Sequence, residues 1–380
     1  LQHLQPAGIL SITRWTKTPP RDGLKIFATA IAALEQAGIS EPGRHLAMIR
    51  SWNTSTLLVK KEPFSSDAIS SLKSFCQERW FDTVYYPGMT ADEANRYNQL
   101  QQPWFFEGAN HLLGPASAAY MDDYKFNIRP ATDDRPYFSH FLKWRTLPEL
   151  LALRERGGMP MLEWGYLILI ATLVQALLAS FLLVLLPLWL RRRTETRVAG
   201  LRWRIMAYFA AIGTAFMFVE IAFIQKFILF LHHPLYAISV VLCAFLVFAG
   251  LGSLMSERWS KRVSLLGVTT GIGLLSVLYV LLLPGLFNWL LQLPVEFKIP
   301  VSVLLIAPLA FLMGMPFPRG LGIVSDRLPS WIPWAWGING CASVVSAMLA
   351  TLLAIHLGFM FVVFVAVVLY LLSALVLRAL

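Results

Sequence analysis

The chain has 380 residues with a net charge of +10, yet only 14% of its residues are charged and 57% are hydrophobic. An ordinary soluble domain carries about 25% charged residues, so a wholly soluble protein is excluded. Nucleic acid is excluded as a partner class too. The cations crowd into loops between apolar runs, with a cluster at Arg191, Arg192 and Arg193, where they suit anionic lipid headgroups.

From Leu1 to residue 158 charged, polar and apolar residues mix as in a globular domain. From residue 159 to 380 long apolar stretches alternate with short basic loops, which places a domain boundary near Gly157 and Gly158. Within the first part, Gly8 to Trp15 reads as a strand, followed by a turn at Pro19 and Pro20. Asp22 is the expected cap of a helix whose apolar positions are Leu24, Phe27, Ile31 and Leu34 and which stops at Gly38.

His45 to Arg50 and Ser55 to Lys60 read as two strands joined by a polar turn. Ser65 caps a second helix through Leu72 and Phe75, with Phe64 placed to staple onto Ile69. Phe81 to Tyr86 is a further strand, ending at the Pro87-Gly88 turn. Trp52 and Tyr85 are expected in the core. The order fits the C-terminal part of a doubly wound α/β sheet, which cannot close with so few strands.

The phrase Leu4-Gln5-Pro6-Ala7-Gly8-Ile9-Leu10, followed by Ile12-Thr13-Arg14-Trp15, resembles the late strand of S-adenosylmethionine-dependent methyltransferases. Ala131-Thr132-Asp133-Asp134-Arg135-Pro136-Tyr137-Phe138 resembles a phrase that follows the catalytic domain in membrane-fused spermidine-synthase-like proteins. The whole chain is similar to the C-terminal portion of such a protein. The resemblance implies a membrane-anchored transferase moving a methyl or aminopropyl group, with S-adenosylmethionine or its decarboxylated form as cofactor of a full-length parent only.

No Gly-rich turn follows a strand here, so no catalytic or cofactor-binding residue is expected in this chain, and the missing N-terminal part of the same protein becomes a partner. The chain alone is expected to be inactive. Asp133, Asp134 and Arg135 either close the substrate side or form a turn in which Asp caps backbone amides. Cys76, Cys243 and Cys341 lie too far apart in sequence for a disulfide framework or a zinc spacing, and no metal site is expected.

Seven apolar runs predict a multi-pass helical bundle: Leu162 to Leu190, Ile205 to Leu231, Leu235 to Met255, Val263 to Pro284, Pro300 to Phe317, Trp331 to His356 and Phe359 to Leu377. Gly267 and Gly271, four residues apart, predict a close helix contact. Glu220 lies about 24 Å along its helix from Arg204 at ~1.5 Å per residue, inside a hydrocarbon layer of about 30 Å. An ionised carboxylate there costs about 3 kcal/mol, so Glu220 should face other helices. Lys226 should snorkel to the interface instead of pairing with it.

Asn339 is a candidate buried amide, read either as glue between helices or as a substrate contact, and His356 reads as interfacial. Phe218-Val219-Glu220-Ile221, Gln225-Lys226, His233 to Ala237 and Gly250 to Ser253 resemble a membrane module of the same family. Glu257-Arg258 with Lys261-Arg262 is similar to the basic loop of major facilitator transporters, although Glu stands where Asp is usual. An alternative function is therefore a transporter-like module with a regulatory soluble domain, acting on a small-molecule substrate.

Sidedness is read two ways. The larger set of loop cations, including Arg258, Lys261, Arg262, Arg319 and Arg327, would be cytoplasmic by the positive-inside rule, and seven spans then leave the soluble domain outside. The cofactor implied by the resemblance is cytoplasmic. We expect a cytoplasmic soluble domain anchored in the cell (inner) membrane.

Overall fold

A computed structural model describes residues 4, 5, 7–152, 164–190 and 199–378. Contacts divide the chain into two units, one of Leu1–Thr132 with Pro136–Trp164 and one of Asp133–Arg135 with Gly165–Leu380. The expected boundary at Gly157 and Gly158, the start of the first apolar run at Leu162 and the arginine cluster at 191 to 193 lie outside the described residues.

In the first unit, four strands, β1 (Ile9–Trp15), β2 (Leu46–Arg50), β3 (Thr54–Lys60) and β4 (Asp82–Tyr85), form a sheet in the order β1-β3-β2-β4. Each adjacent pair is antiparallel, with Ile9 opposite Lys60 and Leu46 opposite Val59. β1 and β2 therefore run parallel, with β3 between them. The helix joining them, α1 (Asp22–Gln36), packs on β1 and β3 and buries Leu24, Phe27, Ile31 and Leu34, the face its periodicity marks.

α1 begins one residue earlier than expected. Asp22 is already helical, and Arg21 precedes it without a side-chain cap. Gly38 ends the turn at φ +84°, a backbone region that only glycine occupies without steric cost. α2 (Ser66–Arg79) starts as expected, with Ser65 Oγ accepting from the Ala68 N–H at 3.3 Å.

α3 (Trp104–Leu113), α4 (Ser117–Asp123) and α5 (Leu147–Ala152) complete the unit. β2 is buried along its whole length, while β3 alternates between buried and half-exposed residues. β1 is exposed at nearly every position, with Ile9, Leu10 and Trp15 open to solvent. Trp52 is 77% exposed, so the expectation that it sits in the core fails: it occupies the tight turn between β2 and β3, where a side chain has no opposing layer. Tyr85 is only half-buried, at the edge of the core, with its ring edge-on to Phe27 at 5.3 Å.

The second unit is helical: α6 (Trp164–Ser180), a π-helical turn Phe181–Leu185, α7 (Leu186–Leu190), α8 (Ala199–Leu231), α9 (Pro234–Ser260), α10 (Leu265–Leu290), α11 (Val295–Met313), α12 (Pro316–Arg327), α13 (Ile332–Leu357) and α14 (Phe359–Arg378). Among the described residues seven helical stretches are long and apolar enough to cross a membrane, consistent with a multi-pass membrane protein. The fifth, Val295–Arg327, is broken between α11 and α12.

Proline does not set the helix limits that the sequence suggests. α10 continues through Pro284 to Leu290, and α11 begins at Val295 and carries Pro300 and Pro308. Such residues are tolerated in membrane helices because neighbouring groups satisfy the freed carbonyls. The interruption falls instead at Gly314 and Met315, before Pro316.

α8 is the central element, packing on α9, α13 and α14. The close glycine contact is not the predicted pair, since Gly267 and Gly271 face only side chains. It lies between α9 and α11. A Cβ on Gly252 would stand 1.9 Å from the Phe311 carbonyl oxygen, and one on Gly314 would stand 2.0 Å from that of Ala249. The two backbones touch reciprocally, the arrangement small residues permit where apolar burial alone cannot drive association.

Candidate functional site

In the first unit the most organised polar group is a buried ion pair. Arg50 at the end of β2 donates from Nη2 to Asp82 Oδ2 at 2.9 Å, and also to the Asn98 carbonyl and Asn95 Oδ1. Asp82 accepts in turn from the Tyr97 and Asn98 amides, each at 2.8 Å. Burial holds the Arg50 pKa below its ordinary value, partly offset by Asp82. Because the aspartate's partners are all protein groups that shape the loop after β4, the pair organises structure and leaves no acceptor for a ligand.

A cavity of about 540 Å³ opens between α1, α3 and the end of β4, lined by Glu35, Glu41, Arg44 and Tyr85 among others. Arg44 and Glu41 pair with each other at 3.1 Å while largely exposed, and Tyr85 Oη donates to the Gly43 carbonyl. These three groups are answered within the protein and Glu35 is exposed to solvent, so the cavity marks no ligand.

The second unit gathers polar groups of which two, Glu220 and Tyr370, find no hydrogen-bond partner among the described residues. A cleft of about 490 Å³ is walled by α8, α9, α13, α14 and the α11-α12 break. Glu220 and Asn339, far apart in sequence, both line it, along with Ser253, Ser343 and Tyr370. Their placement follows from helix geometry. Gly213, Met217 and Glu220 share one face of α8, Asn339 and Ser343 stand one turn apart on α13, and Leu246, Gly250 and Ser253 share a face of α9.

Glu220 is 5% exposed, and Tyr370 only 1%. Tyr370 Oη is buried without a hydrogen-bond partner, and no hydrogen bond or ion pair satisfies the Glu220 carboxylate among the described residues. Glu220 lies about 7 Å from the midpoint of its span at ~1.5 Å per residue. Ser343 is satisfied locally, its hydroxyl donating to the Asn339 carbonyl at 2.9 Å.

Gly213 sets the approach of α8 to α13: a Cβ there would lie 2.8 Å from the Asn339 carbonyl oxygen and 2.9 Å from its Oδ1. The break in the fifth span is held from α8, where the Tyr208 hydroxyl donates to the Pro316 carbonyl at 2.6 Å. Gly320 makes room for that ring.

The other candidate residues go elsewhere. Asp133 and Asp134 serve the helical unit as backbone anchors. The Asp133 carbonyl accepts from Lys226 Nζ at 3.1 Å, and Asp134 Oδ1 accepts from the Met360 N–H at 2.9 Å. Arg135 falls in the same stretch and is engaged in the fold. His356 Nε2 meets the Tyr166 hydroxyl at 2.9 Å, joining α13 to α6. Among the described residues no group of His, Cys, Asp or Glu is placed to hold a metal ion.

Sequence reasoning missed Tyr370. An isolated tyrosine in an apolar run looks like any aromatic core residue until the opposing helices are known. Comparison of the chain with protein-family models, with curated proteins and with solved structures finds no match.

Proposed function

We propose that this chain belongs to a membrane-anchored, S-adenosylmethionine-dependent transferase-like protein of the spermidine-synthase-like kind, moving a methyl or aminopropyl group, with the cofactor-binding half outside this chain. The reading begins from the resemblance of the phrases at Leu4 to Trp15 and Ala131 to Phe138. The structural observation that carries it is the open edge of β1. A seven-residue strand with Ile9, Leu10 and Trp15 exposed is a template for further pairing. Further strands of a doubly wound sheet would cover that edge. The parallel β1 and β2 linked through α1 are the connection from which such sheets are built.

The test is titration calorimetry on two purified proteins. A longer form carrying residues upstream of Leu1 should bind S-adenosylmethionine one to one, whereas this chain alone should show no saturable binding below about 10 μM, a free energy of about −7 kcal/mol. Failure of a folded longer form to bind either S-adenosylmethionine or its decarboxylated form would overturn the reading.

A second reading, a transporter-like membrane module with a regulatory soluble unit, is favoured by the cleft around Glu220. Intramembrane carboxylates that face a bundle interior mark substrate and ion paths. Helix breaks like that at Gly314 and Met315 recur at transporter binding sites. Uptake into proteoliposomes tests it.

A further inference from the structure

We propose that the cleft between α8, α9 and α13 is a binding site for a small amphipathic organic monocation, its ammonium group held by Glu220 and its hydrocarbon body by the apolar walls. The inference deepens the second reading, because it names the ligand class of the same site.

Charge decides the class first. The lining contains one carboxylate and no Lys or Arg. Glu220 is nine-tenths buried near the middle of its span and has no hydrogen-bond donor or ion-pair partner among the described residues, so an ionised side chain there lacks a counter-charge. A buried carboxylate is held either protonated or paired with a cation, and a ligand cation supplies the pair for the ionised form. An anion would be repelled.

The rest of the lining restricts the cation further. Tyr370 Oη, buried and unpartnered, and the Asn339 amide supply uncharged hydrogen-bonding groups for a second contact. Phe216 and Phe317 also line the cleft, and aromatic rings attract a desolvated ammonium. Met217, Leu246 and Met313 complete an apolar surface that suits a short hydrocarbon chain and wastes no polar group on it. A bare metal ion is a poor fit, since one carboxylate, an amide and hydroxyls spread over a cleft of about 490 Å³ do not form a tight oxygen cage.

The experiment uses the full chain in lipid nanodiscs, titrated calorimetrically at one pH with n-hexylammonium, its neutral analogue n-hexanol and its anionic analogue hexanoate, with empty nanodiscs subtracted. The expected result is saturable one-to-one binding of hexylammonium, at least tenfold weaker binding of hexanol and none of hexanoate. Glu220→Gln should weaken hexylammonium at least tenfold, and Tyr370→Phe about threefold.

Equal binding of hexylammonium and hexanol, which needs no variant to read, would overturn the proposal. So would unchanged affinity in a folded Glu220→Gln protein. Binding that depends on Glu220, without uptake of labelled hexylammonium into proteoliposomes, would retire the transporter-like reading and leave the site standing. Loss of the site is a different outcome, seen as absence of saturable binding.

Discussion

Asp134 caps a helix that begins more than two hundred residues later: its Oδ1 accepts from the Met360 N–H at 2.9 Å while its backbone carbonyl accepts from the Phe359 N–H at 3.1 Å. Together these satisfy two of the amides that the start of α14 leaves without intrahelical partners. Gly358, at φ +94°, leaves the space the carboxylate fills, since a Cβ there would lie 1.9 Å from Asp134 Oδ2. We expect Asp134→Ala to destabilise the helical unit by about 1 kcal/mol, as loss of an N-cap does, with Asp134→Asn closer to wild type. Thermal melts in detergent should register about 2–4 °C for each kcal/mol.

The Arg50 and Asp82 pair predicts an asymmetry. Replacing either partner alone strands a buried charge and should cost about 3–5 kcal/mol, whereas replacing both with apolar residues of similar size should cost far less. Hydrogen exchange at the Tyr97 and Asn98 amides, which bond to Asp82, reads this directly. Slow exchange in an Asp82→Ala protein would contradict it.

Burial pushes the Cys76 thiol up to about 11, with the nearby Asp82 charge adding to the effect. In a chain whose other cysteines are replaced by alanine, the rate of Cys76 alkylation should climb toward a midpoint near pH 11, in place of the ordinary value near 9. The folded state then binds more protons than the unfolded one between those values. Stability is therefore undiminished below about pH 9 and falls as pH rises toward 11, by at most about 1.4 kcal/mol per unit from this group. A labelling midpoint near 9 in folded protein would refute the assignment.

Gly252→Ala and Gly314→Ala should each disrupt the contact of α9 with α11, because the new methyl meets a backbone oxygen at about 2 Å and neither backbone can yield independently. Gly250, on the same helix but with open space beside it, should accept alanine within about 0.5 kcal/mol. Melting temperatures of the three variants in one detergent decide the point.

Sidedness is settled by an impermeant thiol reagent. With a cysteine at exposed Glu62 in a chain otherwise free of cysteine, labelling should require disrupted cells if the soluble unit is cytoplasmic. Ready labelling of intact cells would place that unit outside, in accord with the loop cations.

Local signals were legible in proportion to how locally they act. The Ser65 cap, the glycine stop at Gly38 and the apolar face of α1 each depend on a few neighbouring residues, and each is where the sequence puts it. The membrane helices were legible as lengths of apolar chain, but their ends were not, because Pro284, Pro300 and Pro308 break a helix in water more readily than in a packed bundle. Glu220 could be picked out because a carboxylate in lipid is costly wherever it sits. Its neighbours Tyr370 and Asn339 come from helices brought together only by packing, as does the pairing of Gly252 with Phe311.

That pairing restricts how the cleft can move. Each backbone oxygen in the reciprocal contact between Ala249, Gly252, Phe311 and Gly314 sits where a side chain would otherwise stand. Sliding one helix along the other would drive an oxygen into the next residue's Cβ, so α9 and α11 behave as a single rigid plate. Past Gly314 the fifth span is no longer continuous helix, and α12 is tied both to α8, through the Tyr208 hydroxyl on the Pro316 carbonyl, and to α9, through Arg319 Nη2 on the Ser256 carbonyl at 3.5 Å. Sliding of α9 against α11 is thus closed to this end of the cleft, and its width can change only by loosening one of the two ties that hold α12.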